Sequence, residues 1–170
     1  MRKQLKKYVL EMLVLLMTVG LFGCGKKVTE NKNEFLVTAK AHIREEEDGK
    51  RLIINVDIDN QKNREYKNVS YSLTLNKEAQ HYIASGILTF EETDKMNVVS
   101  SQKAEKMEQE DGKLLVTGFH HEWDMFLTTE ADLKKYWNLS ADGIYDAVKE
   151  VTVKITWDGG MQEEVCKLAI

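Results

Sequence analysis

The stretch His120-His121-Glu122-Trp123-Asp124 sets two imidazoles beside two carboxylates, the side chains that bind metal ions or act as general acid and base. On a β-strand alternate residues leave opposite faces. His120, Glu122 and Asp124 would then share one side, and His121, Trp123, Met125 and Leu127 the other. The adjacent histidines point apart, and the spacing is not the i, i+4 helical pair of zinc proteases. A solvated polar face and a core edge are the expected result, with His120, Glu122 and Asp124 the one set that could serve a metal site or a small hydrolase. His42 and His81 stand singly and read as strand residues. The run Glu45-Glu46-Glu47-Asp48 lacks the interleaved spacing of a calcium loop and falls at a hairpin tip. No Gly-x-Ser-x-Gly elbow, phosphate-cradling glycine loop or paired-cysteine site occurs, so neither catalytic residues nor a cofactor are expected.

The remaining reactive side chains are two cysteines, Cys24 and Cys166. Cys166 lies in Val165-Cys166-Lys167-Leu168-Ala169-Ile170, where Cys166, Leu168 and Ile170 share a face, and reads as a small buried apolar residue. Cys24 has a different setting. Arg2, Lys3, Lys6 and Lys7 form a basic start, and the apolar run Met12–Phe22 follows with 11 residues. That length suits the core of an export signal and is short of the roughly 18–20 residues of a lasting membrane helix.

The run ends in Leu21-Phe22-Gly23-Cys24, which resembles the lipobox of bacterial lipoproteins, an aliphatic residue, a small residue, Gly or Ala, then Cys; Leu21, Gly23 and Cys24 match, and Phe22 is bulkier than the pattern. The resemblance implies cleavage between Gly23 and Cys24 and attachment of a diacylglycerol to the Cys24 sulfur. Residues 1–23 would be a signal peptide and residues 24–34 a lipidated cysteine with a flexible tether. Each acyl methylene buried in a bilayer contributes about 0.8 kcal/mol, so two chains hold a water-soluble body firmly. With Cys24 acylated, Cys166 would have no disulfide partner within the chain.

The whole chain has 170 residues, 42% of them hydrophobic and 31% charged, a balance that suits one domain folding in water. Loss of residues 1–23 removes four basic side chains and one acidic one, moving the net charge from −4 to −7. An acidic body is a poor partner for nucleic acid, whose phosphates need lysine and arginine. Membrane contact is expected only through the lipid on Cys24 and the neighbouring Lys26 and Lys27.

The elements that must carry these residues are strands. Phe35, Val37, Ala39, Ala41 and Ile43 alternate with polar residues; Leu52, Ile54, Val56 and Ile58 do the same across Asp48-Gly49, a hairpin pattern. Further strands are expected at Val69–Asn76, Tyr82–Phe90 and Leu114–Phe119. A final hairpin joins Val151–Trp157 to Gln162–Ile170 through Asp158-Gly159-Gly160. Thr129–Trp137 predicts one short helix, capped by Thr129 and seated through Leu133, Tyr136 and Trp137. Ser100–Gly112, nearly all polar, reads as an exposed loop or frayed helix. Strands apolar on one face need a second layer, so residues 35–170 are expected to form an immunoglobulin-like antiparallel β-sandwich with one inserted helix. The function expected is a non-catalytic, lipid-anchored lipoprotein outside the cytoplasm, binding a protein, peptide or envelope component; the alternative is an envelope hydrolase or metal-binding protein using His120, Glu122 and Asp124.

Overall fold

Period-two patterning gives strands here because each buries one row of side chains against a facing layer while the other row meets water. The computed structural model describes residues 33–111 and 115–168, all within the unit Asn33–Ile170. Gly23, Cys24, the expected signal peptide and the tether up to residue 32 lie outside the described residues, as do Gly112, Leu114 and Ile170. The described chain is mainly β. Its strands are β1 (Phe35–Glu46), β2 (Gly49–Asn60), β3 (Tyr66–Leu75), β4 (Thr89–Val98), β5 (Gly118–Phe126), β6 (Glu150–Trp157) and β7 (Gly160–Lys167). They form two antiparallel sheets, β1-β2-β5 and β4-β3-β6-β7.

The sheets close on one shared core. Leu52, Ile54, Val56 and Ile58 of β2 belong to the same buried cluster as Leu73 of β3 and Val153 and Ile155 of β6. At one end Phe35, Tyr66 and Trp157 pack as a ring triad with centroids 4.7–5.5 Å apart. Gln162 fastens the sheets there. Its amide nitrogen donates to the Phe35 carbonyl at 2.8 Å, and its oxygen accepts from the Phe35 and Glu34 backbone amides at 3.0 and 2.9 Å. From Phe35 the 12 residues of β1 run about 40 Å, at roughly 3.3 Å each, to the hairpin tip at the other end.

Both expected hairpins, β1-β2 and β6-β7, form with turns at residues 47–48 and 158–159. Other expectations need correction. Residues 82–90 do not make the fourth strand: Lys77–His81 is a 3-10 turn, so His81 is not on a strand, and β4 starts only at Thr89. Ser85-Gly86, with Gly86 at φ 66°, breaks the apolar run before it can extend. The strand expected over 114–119 instead starts at Gly118 and carries the histidine pair.

More than one helix is inserted. Ser101–Asp111 is helical, held at its start by Ser100, whose hydroxyl accepts from the Lys103 amide at 3.3 Å and donates to Asn63 at 2.9 Å. Gly143–Ala147 forms another short helix. The Thr129 cap is present, its oxygen accepting from the Asp132 amide at 3.2 Å. The helix then widens from Glu130–Asp132 into a π-turn over Leu133–Trp137, closed by Asn138 at φ 56°. The wider turn takes Tyr136 off the face of Leu133. Leu133 is buried as expected, whereas Tyr136 and Trp137 are 61% and 43% exposed.

Candidate functional site

β5 lies against β2 with Asp57 opposite His120, Asn55 opposite Glu122 and Ile53 opposite Asp124. The faces divide as the alternation requires: His120, Glu122 and Asp124 are exposed, while Trp123 and Met125 are buried. Each outward group has its own surroundings. His120 Nδ1 stands 2.7 Å from Asp57 Oδ1. Asp124 accepts from Arg44 at 3.2 Å and Arg51 at 3.1 Å, and Arg51 also reaches Glu46 and Asp48 before lying 3.8 Å over the Phe126 ring. Asp124 lies four steps along the strand from His120, about 13 Å at a strand's rise, whereas metal ligands sit about 2 Å from their ion. The structure does not bring His120, Glu122 and Asp124 together. Among the described residues no group of three His, Cys, Asp or Glu side chains is placed to hold a metal.

The opposite face of β5 makes a polar contact between the sheets. Tyr71 Oη of β3 lies 3.1 Å from His121 Nδ1, and Glu92 of β4 reaches the same nitrogen at 3.6 Å. The rings of Phe119, His121 and Trp123 surround the phenol, with centroids 5.0–5.9 Å away. Burial, seconded by the Glu92 charge, pushes the Tyr71 hydroxyl up to about 12, so this proton stays on the phenol through neutral pH. Cys166 is buried, and burial raises its thiol above the usual range, away from the reactive thiolate.

A concave site with an apolar lining lies elsewhere, at the end of the sandwich remote from Phe35. A cavity of about 300 Å³ opens beneath the β1-β2 tip, between it and the segments that follow β5. Ile43, Leu127, Leu133 and Ile144 give it an apolar lining, with Leu133 and Ile144 fully withdrawn from solvent. Asp48, Lys50, Glu130 and Asp142 bring charge to it, and Phe126 and Tyr145 stand beside it 43% and 49% exposed. An apolar lining with a few polar groups is the usual make-up of a ligand pocket, and the volume is at the small end of the roughly 300–1,000 Å³ range.

No family model, curated protein or solved structure matches this chain. Its site must therefore be read from its own geometry.

That geometry is fixed by backbone contacts among chain-distant segments. The Leu127 amide donates to the Lys50 carbonyl at 2.9 Å, tying the hairpin tip to the end of β5, and the Thr128 amide donates to the Tyr82 carbonyl at 2.8 Å. Gly143 allows the last wall to close: a Cβ there would lie 2.0 Å from Tyr82 Oη, so only glycine admits this approach of helix Gly143–Ala147. The Lys50 ammonium is occupied by Glu45 at 2.7 Å, an exposed pair in which each partner stabilises the charged form of the other. In the sequence Ile43, Leu127, Thr129 and Leu133 read as strand, core or helix residues and the hairpin tip as an acidic turn, with nothing to mark a shared cavity. Residues 139–149 show no alternation or motif, and their apolar members become a wall only when Tyr82 and Leu127 are brought beside them.

Proposed function

We propose that this protein is a lipid-anchored bacterial envelope lipoprotein, without catalytic activity, whose sandwich domain binds a protein or peptide partner outside the cytoplasm. The reading of the anchor is carried by one observation, the basic start and apolar run ending in Leu21-Phe22-Gly23-Cys24. The binding role is supported by the apolar cavity with charged surroundings at the end of the domain opposite Phe35, where the chain arrives from the tether. Entry of the chain at Phe35 and a concave surface that begins at Ile43, about 26 Å along β1 at roughly 3.3 Å per strand residue, suit a module that presents its site away from the membrane. The acidic balance argues against nucleic acid as partner. The hydrolase or metal-binding alternative gains no support from the separated His120, Glu122 and Asp124.

We further propose that the sandwich is immunoglobulin-like. Three strands, β1-β2-β5, facing four, β4-β3-β6-β7, fit that pattern if the fourth strand has moved to the second sheet. The chain lacks the cysteine pair of antibody domains, and its buried Trp123 lies on β5 and not on the third strand, so the proposal concerns strand order only.

The anchor is tested by expressing wild type and Cys24→Ala in a bacterial host supplied with labelled palmitate. Wild type is expected to incorporate label and to yield an N-terminal peptide beginning at Cys24 with a diacylglycerol mass. Cys24→Ala is expected to remain unlabelled, as precursor or released protein. An unmodified Cys24 thiol in the wild-type product overturns the lipoprotein reading.

A further inference from the structure

We propose that the cavity beneath the β1-β2 tip receives an apolar side chain from a basic peptide segment of a partner protein, a residue such as leucine flanked by lysine or arginine. This inference rests on the binding-module reading and names the chemistry its partner must have.

Size sets the first requirement. A cavity of about 300 Å³ takes one or two side chains and not an extended cofactor, and the half-buried Ile43 and Leu127, backed by the buried Leu133 and Ile144, offer an aliphatic group nothing polar to satisfy. Charge sets the second. Three carboxylates, Asp48, Glu130 and Asp142, line the site against one ammonium, Lys50. That ammonium is held by Glu45, and Asp48 is held by Arg51 at 3.0 Å. The Glu130 and Asp142 carboxylates make no hydrogen bond or close ion pair among the described residues; Glu130 only adds to the field of Lys50, whose ammonium is bonded to Glu45, and both carboxylates remain open to a further cation beside the apolar hole. A cation flanking the inserted side chain would meet them, while an anionic segment would be repelled. Tyr145 adds an exposed ring of the kind on which a lysine or arginine can rest, as Arg51 already does on Phe126.

The test uses the full chain in detergent micelles and a dye-labelled pentapeptide with leucine between paired lysines, read by fluorescence anisotropy. Two control peptides replace the leucine by serine or the lysines by glutamates. Binding of the lysine–leucine peptide is expected, at least tenfold weaker for either control and weakened at least threefold by Glu130→Gln combined with Asp142→Asn. Both substitutions are on exposed side chains, and urea unfolding verifies that the variant remains folded. Equal binding of the serine peptide, an unaffected double variant, or no binding of the lysine–leucine peptide overturns the proposal. A separate experiment replaces Tyr145 with a photocrosslinking residue in cells. A crosslinked partner contacting through an acidic or uncharged segment overturns the peptide class while leaving the binding-module reading intact; no crosslink at all counts against both.

Discussion

Tyr71 shows how one side chain can serve both sheets. It stands on β3, is enclosed by aromatic rings of β5, and places its hydroxyl beside His121. Because folding raises its pKa from about 10 to about 12, the folded state holds this proton more tightly than the unfolded chain. The stabilisation is complete below pH 10 and is lost as pH rises from 10 towards 12. Urea midpoints measured across that window should fall for the wild type and fall less steeply for Tyr71→Phe. Tyr66 is raised too, by burial and its bond to Glu34, so the slope should shrink without vanishing. An identical slope in Tyr71→Phe would place the alkaline sensitivity elsewhere.

At the level of elements, Gly143 is the position where one atom decides a wall of the cavity. Gly143→Ala sets a Cβ against the Tyr82 hydroxyl, so the Tyr82 ring or helix Gly143–Ala147 must shift, with an overpacking cost of about 1–3 kcal/mol. Thermal or urea unfolding should show the loss, and amide exchange should quicken first over residues 141–148. Elements with strong periodicity were legible in the sequence, and the failures have local causes. β3 begins at Tyr66, three residues before its regular alternation, because a bulge with Asn68 at φ 53° resets the register between Tyr66 and Val69. β4 carries Glu91, Glu92, Asp94 and Lys95 along an edge and is mostly exposed, so it has little apolar alternation to find. The π-turn broke the helical spacing on which seating Tyr136 and Trp137 depended. The cavity was invisible for another reason: its lining comes from Tyr82 and from residues 43–50, 126–133 and 141–145, and no one of these stretches encodes a concavity alone.

Across the whole molecule, Gln162 is the most consequential polar group in the core, since it satisfies three backbone atoms of the opposite sheet. Gln162→Ala leaves the Phe35 amide and carbonyl without partners and should destabilise the fold by about 2–3 kcal/mol, read as a lower urea midpoint. An unchanged midpoint would mean that water replaces the side chain without loss. The partner of that clasp, β1, has a mechanical consequence. Tension applied through the residues before Phe35 and resisted by a ligand at the far end would act parallel to β1. The ladder linking its 12 residues to β2 would then be loaded in shear, its rungs resisting together, where a pull across the strands would part them one by one.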